Sequence, residues 1–480
     1  MERVINKVNQ NIWEIPQTGK MRVPGRIFAS EDLMQILRND ASLDQIVNVA
    51  QLPGITGFSF GMPDIHWGYG FPIGGVAATD IETGVISPGG VGYDINCGVR
   101  LIRTNLHFDE MKNKIKPLIA TIFGAVPSGI GSHNAIKKLN LSDIQKILMT
   151  GAQWAVENRF GTENDLNFIE DRGCLQGADP DIISKRAIER GLSQMGTLGS
   201  GNHFIEISKV ADIYDDIAAQ AMDISIGNIV IQIHTGSRGL GYQVCDDFIK
   251  VTLQASRKYG IEIPDRQLSC APLTSPEGKD YLAAMRASAN FAFSNRQVIH
   301  SLIEHAFIQS LNISPSELGF RCVWDIAHNI AKIEEHDYKG IKRKYCVHRK
   351  GATRAFGPDY PELPLNYKSI GQPVLIPGDM GTESYVCIGT KKAMAETFGS
   401  SCHGAGRILS RSQAKKKGAN INHFKELEKS GVFVMAEEKS TIAEEMPFAY
   451  KDVTQVVNTL YETGIIRKVA RLVPWGVVKG

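Results

Sequence analysis

Ser87-Pro-Gly-Gly-Val-Gly-Tyr-Asp-Ile-Asn-Cys-Gly98 is the stretch from which the rest of the chain is read. Its four glycines and one proline predict a tight loop, because glycine alone visits positive φ at little cost. Asp94 and Cys97 lie three residues apart in that loop. A carboxylate and a thiolate on constrained backbone suit a borderline-soft divalent metal. The same residues also fit a structural turn around a buried cysteine, and on this stretch alone both readings stand.

Three histidines downstream favour the metal. His203 follows the glycines 196, 199 and 201 at the start of an alternating strand, which puts Asn202 and Glu206 on the face opposite His203. His234 ends the apolar run Ile229-Val-Ile-Gln-Ile and opens Thr-Gly-Ser-Arg-Gly239. His328 repeats that design after Phe320-Arg-Cys-Val-Trp-Asp-Ile-Ala327. Histidines at strand ends, where loops gather, are placed for function more often than those in mid-strand. Asp94, Cys97, His203, His234 and His328 make a set too rich for one tetrahedral ion and sufficient for two ions sharing ligands. Upstream, Asp64 and His66 sit in Gly61-Met-Pro-Asp-Ile-His-Trp-Gly68, where they are expected to orient ligands from behind.

His403 differs from the other histidines. It lies in Phe398-Gly-Ser-Ser-Cys-His-Gly-Ala-Gly-Arg407, read as a turn opening a helix that carries Arg407 and Arg411. Amides and arginines around a histidine suit a nucleophile that takes up a phosphoryl or nucleotidyl group. Walker A, HExxH, GxSxG and dinucleotide fingerprints are missing from the sequence. The residues therefore point to a metal-dependent enzyme acting on phosphates.

Around these motifs the pattern predicts an edge strand at Arg22–Phe28, a helix capped by Ser30 and another over Leu43–Leu52. A strand is expected from Val99 to Thr104, with Val99 and Leu101 opposing Arg100 and Arg103. Helices are expected over Phe108–Phe123, Leu141–Arg159, Asp179–Gln194 and Gly278–Leu311, the last interrupted by Arg296. Lys342-Arg-Lys344 and His348–Arg354 form a basic segment suited to a phosphate-bearing partner or to plain surface. No repeat, low-complexity tract or linker divides the chain. The expected fold is α+β, one large domain over 1–480 of mixed sheets flanked by helices.

Composition excludes several classes. At 480 residues and 43% hydrophobic content the chain can bury a large core. A net charge of +2 rules out a globally basic protein, so any anion-binding surface must be local. Eight cysteines without a CxxC pair, and a polar start lacking a signal-like apolar stretch, predict free thiols in the cytoplasm. No apolar run is long enough to span a bilayer.

Taken together, Gly-Tyr-Asp-Ile-Asn-Cys-Gly (92–98), Gly-Ser-Gly-Asn-His-Phe (199–204), His-Thr-Gly-Ser-Arg-Gly (234–239), Ala-His-Asn (327–329), His-Arg-Lys-Gly-Ala-Thr-Arg (348–354) and Ser-Cys-His-Gly-Ala-Gly-Arg (401–407) closely resemble the RtcB family of RNA ligases. The likeness runs nearly end to end, including the Gly-Val-Val-Lys-Gly480 tail. It implies a ligase dependent on GTP and Mn²⁺, joining RNA ends with a 2′,3′-cyclic phosphate or 3′-phosphate to a 5′-hydroxyl through a histidine–GMP adduct. His403 would be the nucleophile, and the five ligands would hold two Mn²⁺ with Cys97 shared. Asn202, Phe204, Ile205, Glu206, Asn329, Pro377, Gly378, Asp379, Met380, Ser384, Gly404, Ala405, Gly406, Tyr450 and Lys479 would bind GTP. Arg190, Arg238 and Arg407 would meet RNA phosphates. Asp379 departs from the small hydroxyl residue common in the family. Cleaved tRNA and an archease-type activator are the implied partners of a monomeric enzyme, with tRNA splicing and RNA repair both open as roles. Two other readings stay open: a binuclear phosphoesterase acting on cyclic phosphate ends, and a catalytically silent RNA-binding subunit.

Overall fold

The Ser87–Gly98 loop empties into the strand Gly98–His107, whose pairing builds the larger of the two main sheets, beside two small two-stranded ones among the described residues. The computed structural model describes residues 4–129, 131–419, 421–437 and 439–480. In spatial order the larger sheet runs Arg321–Ala327, Gly98–His107, Asn228–Thr235, Phe204–Ile213, Ile466–Lys479, Ser384–Gly389 and Pro373–Ile376, all antiparallel. Phe433–Ala436 lies parallel beside Ile466–Lys479. Both faces are covered. Ile102, Ile205, Ile207, Ile231 and Ile233 pack on the helices Ile115–Ala125 and Pro276–Leu311, while Val99, Leu101, Val230 and Val386 fill the opposite side. Each such buried side chain contributes about 1.5–3 kcal/mol.

The second sheet runs Asn6–Lys7, Ile12–Ile15, Gly25–Phe28, Ile55–His66, Ile73–Asp80, Ile341–Lys350 and Asn329–Tyr338. Gly25–Phe28 is paired on both sides, so the expected edge strand lies inside the sheet. Trp13, Ile27, Phe60 and Met62 pack there with the helices Glu31–Leu37, Ser42–Val49 and Val453–Glu462. One of the crossings between the two main sheets takes a single residue, His328, between Ala327 and Asn329. This is a mixed α+β architecture.

The long helix Pro276–Leu311 holds the loops in place. Asn290 accepts from the amide of Leu175 and donates to the carbonyl of Leu148. Asn295 accepts from the amide of Gly196 and donates to the carbonyls of Thr197 and Gly236. Arg296, fully buried, pairs with Asp325 and donates to the carbonyls of Asn96 (2.8 Å) and Thr235 (2.9 Å). The arginine that interrupts the apolar stripe is thus a clamp on the Asp94/Cys97 loop. Asp325 also binds Arg100 (2.8 Å), so the expected polar face of the Gly98–His107 strand is an interior ion pair.

Several helices are shorter than the pattern predicts. Phe108–Phe123 divides into Phe108–Met111 and Ile115–Ala125. Leu141–Arg159 breaks at Gly151, whose φ is +57°. The helix expected over Asp179–Gln194 is only Lys185–Gly191, capped by Ser184. Lys342, Arg343 and Lys344 are exposed, but His348, Arg349 and Lys350 are interior, and Arg349 is spent on Glu334 at 2.7 Å. No helix among the described residues is long and apolar enough to cross a membrane.

Candidate active site

Strand register brings the distant histidines to one end of the larger sheet. Gly98 faces both Thr235 and Ala327, Val99 faces His234, and Phe204 lies opposite both His234 and Lys479. Cys97, His203 and His328 each adjoin one of these paired residues, so the five expected ligands converge without any long loop. Asn96 takes positive φ (53°) in the turn that presents Cys97, and its side chain is tied to the Ala289 carbonyl at 2.8 Å.

The donors form two groups sharing one atom. Cys97, His234 and His328 make the first, Asp94, Cys97 and His203 the second, with donor atoms within 4.8 Å of one another in each. The Cys97 Sγ lies 3.3 Å from Nε2 of His234 and 3.5 Å from Nε2 of His203. His203 Nε2 lies 2.8 Å from Asp94 Oδ2, and its Nδ1 is 2.9 Å from the Leu198 carbonyl. The Nε2 atoms of His234 and His328 approach to 3.2 Å. Burial, reinforced by neighbouring histidines, holds both rings well below the ordinary histidine value, so they are neutral and offer lone pairs. Burial and then Asp94 push the Cys97 thiol far up. Burial also opposes ionisation of Asp94, yet the His203 hydrogen bond and Arg238 hold its carboxyl below the usual range. Convergent lone pairs with a thiol that only a cation would ionise are the donor chemistry of a metal site. The residues fit two ions.

His403 stands beside this cluster, its ring centroid 4.7 Å from that of His328. It is not at a helix N-terminus: the next helix, Arg411–Gly418, starts eight residues later behind its cap Ser410. Its brace is Asp64, whose Oδ2 accepts from the His403 amide (3.0 Å) and meets Nδ1 (2.6 Å). That contact leaves Nε2 as the ring's free nitrogen. Asp64 therefore acts on His403 instead of on the ligand set. His66 lines the cavity with Nδ1 at 3.1 Å from the Trp67 carbonyl.

A cavity of about 420 Å³ opens over His403 and the cluster, a size suited to a small ligand. Asp94, Cys97, His234, His328 and His403 reach it, as do Asn202, Phe204, Glu206, Asn329, Pro377, Gly378, Asp379, Met380, Gly404, Ala405, Gly406, Tyr450 and Lys479. Ile205 instead points into the hydrophobic core, and Ser384 braces the turn by accepting from the Gly378 amide at 3.2 Å. Glu206 is interior, accepting from Ser208 (2.8 Å) and Gln232 (3.1 Å), and burial raises its carboxyl to about 8. Asp379 is raised by burial to about 6 while its Oδ1 accepts from the Gly381 amide at 2.9 Å.

The arginines separate by role. Arg407 lines the cavity, but it is engaged with Glu445 and Tyr450 at 3.0 Å and with the Glu444 carbonyl at 2.7 Å. Arg238 begins the helix Arg238–Lys258 and holds Thr197 at 3.1 Å, close enough to act on Asp94. Arg190 donates to Gln243 at 3.1 Å from the neighbouring helix. Sequence reasoning missed Glu445, Lys350, Tyr69 and Tyr93, all at the cavity. Glu445 sits 3.7 Å from Lys479. Lys350 donates to the Tyr69 and Gly89 carbonyls, and burial brings its amine down to about 7. No local pattern separates Lys350 from the surface lysines before it, since the strand Ile341–Lys350 is exposed over its first four residues and interior over its last six.

A braced histidine opening on a two-lobed donor cluster marks an α+β enzyme, not a passive binding module. Its family is settled by comparison. The family described as tRNA-splicing ligase RtcB matches residues 45–480. The chain is 52% identical to a tRNA-splicing ligase RtcB of Archaeoglobus fulgidus, over the full length of both. It is 50% identical to that of Thermococcus kodakarensis over 99% of each chain. An RNA-splicing ligase RtcB of Mycobacterium bovis is 48% identical over 91% of this chain and all of its own. The chain belongs to the RtcB family, whose members carry the name of RNA-splicing ligases.

Proposed function

We propose that this protein seals RNA, joining a 3′-phosphate or 2′,3′-cyclic phosphate end to a 5′-hydroxyl at the expense of GTP, with two Mn²⁺ held by Asp94, Cys97, His203, His234 and His328. The observation that carries the reading is the Asp64–His403 contact at 2.6 Å, beside a donor cluster that shares Cys97. With Nδ1 held, Nε2 of His403 attacks the α-phosphorus of GTP and pyrophosphate leaves, giving a histidine–GMP bond. A cyclic phosphate end opens with water to the 3′-phosphate. That phosphate takes GMP from His403, and the 5′-hydroxyl then displaces GMP to form the phosphodiester. Bound cations would neutralise phosphate charge and polarise the phosphorus under attack.

Glu206, which lines the cavity, suits the paired N–H edge of guanine, with Asn202 and Phe204 lining it too. Lys479 and Arg407, balanced by Glu445, supply positive charge to the phosphates. The relatives' name, tRNA-splicing ligase, supports cleaved tRNA as the substrate. The phosphoesterase reading needs the cluster but neither His403 nor Glu206.

Incubation with α-labelled GTP and Mn²⁺, followed by denaturing electrophoresis, tests the proposal. Acid-labile label on wild type, absent from His403→Ala and Cys97→Ala, is expected. An unlabelled wild type that still hydrolyses cyclic phosphate ends would replace the ligase by a phosphoesterase.

A further inference from the structure

Three tyrosines from separate parts of the chain form a row that leaves the cavity. Tyr69 and Tyr93 line the cavity wall, with ring centroids 5.4 Å apart in an edge-on arrangement. Tyr242, one turn into the helix Arg238–Lys258, stacks on Tyr93 at 4.8 Å and 27°. Cations stand at both ends: the Lys350 amine lies 5.9 Å from the Tyr69 ring and the Arg190 guanidinium 5.2 Å from the Tyr242 ring. The inner two rings are half-buried, whereas Tyr242 is 48% exposed. Arg238, at the start of the same helix with φ +54°, turns its guanidinium to Thr197 and Ser132.

A packing cluster has no need to end in a half-exposed ring flanked by arginine, and a phosphate site alone has no need of rings. A row of rings flanked by cations is the pattern that receives unpaired bases and their backbone, with little regard to sequence because every base has a π-face. We propose that Tyr242, Tyr93 and Tyr69 are a stacking track that guides an unpaired RNA end from the surface to His403. The proposal rests on RNA being the substrate. It adds that the end must be single-stranded over its last few nucleotides, and that these tyrosines position RNA without touching the reacting phosphate.

The test uses full-length protein and a short 3′-phosphate RNA carrying 2-aminopurine near its end, first without GTP or Mn²⁺. Wild type and Tyr242→Phe should quench the fluorophore on binding, and Tyr242→Ala should not. In ligation, Tyr242→Ala should raise KM for RNA about 10-fold with kcat changed less than about twofold, and Tyr242→Phe should restore KM. An oligonucleotide lacking bases at the same positions should bind wild type about 10-fold more weakly, a comparison that needs no variant. Equal quenching by wild type and Tyr242→Ala, or a Phe variant as impaired as Ala, overturns the track. Ligation with unchanged KM in Tyr242→Ala would sink the track and leave the ligase standing. Quenching that depends on Tyr242 without any guanylylation would do the reverse.

Discussion

Replacing Glu206 by glutamine should make the protein more stable at alkaline pH while removing the guanine contact proposed for it. Glu206 is interior, and burial raises its carboxyl from 4.5 to about 8, against the pull of Ser208, Gln232 and Lys479. A carboxyl whose folded value exceeds its unfolded one contributes fully below the unfolded value. That contribution is lost as pH rises through the folded value. Between pH 4.5 and pH 8 the folded chain therefore binds more protons than the unfolded chain, and stability falls. The full span corresponds to on the order of 4 kcal/mol. Glutamine fills the same space, keeps one acceptor and does not titrate. For a chain of this length the entropy of unfolding is roughly 1 kcal/mol/K, so the melting temperature of Glu206→Gln should gain about 4 °C on wild type between pH 5 and pH 9. Differential scanning calorimetry of both proteins across that range measures it. Parallel melting curves at every pH would refute the reasoning, since the carboxyl would then titrate normally in its pocket.

Other expectations follow from the same site. GTP binding at pH 7 should release most of a proton from Glu206, because its donor edge favours the ionised carboxylate; calorimetry in buffers of different ionisation enthalpy reads this, and Glu206→Gln should release none. Asp64→Ala frees the His403 ring to rotate, so the rate of adduct formation should drop about 100-fold with the KM for GTP little changed, as single-turnover kinetics would show. Equilibrium dialysis should find Mn²⁺ reduced to one ion in His328→Ala and lost altogether in Cys97→Ala, because only Cys97 belongs to both donor groups. Asp325→Ala would leave Arg100 and Arg296 buried without their carboxylate, a loss of about 3–5 kcal/mol visible as earlier urea unfolding.

The clustering of these donors was legible because histidine falls where an apolar strand meets glycine, and cysteine in a loop too glycine-rich to need one. Register then does the rest, since Val99, His234 and Phe204 lie side by side. What stayed hidden depends on contacts remote in sequence. Nothing local marks Asp64 as the partner of His403, 339 positions away. Glu445 looks like any acidic residue until Arg407 and Lys479 close around it. Arg100 alternates as a surface residue does and Arg349 lies in a basic run, yet both are interior because Asp325 and Glu334 meet them there. The short helix at Lys185–Gly191 was overread since charged side chains at helical spacing continue past the point where the backbone turns.

The helix Pro276–Leu311 gives the site an unusual tolerance to some lesions and none to others. Asn295 and Arg296 hold the Gly196, Asn96 and Thr235 segments from adjacent positions. Those loops are aligned through a common ruler more than through each other. A residue inserted in an exposed loop can bulge into solvent and leave the ruler unmarked. One residue inserted or deleted in the helix between Asn290 and Asn295 would turn one anchor against the other by about 100° and slide it by about 1.5 Å. The loops at Leu175 and Gly196 could then no longer be satisfied together. Single-residue length changes in this helix should therefore abolish the site even where every substitution there is borne, a signature that a scan of insertions along the chain would print as one sharp gap.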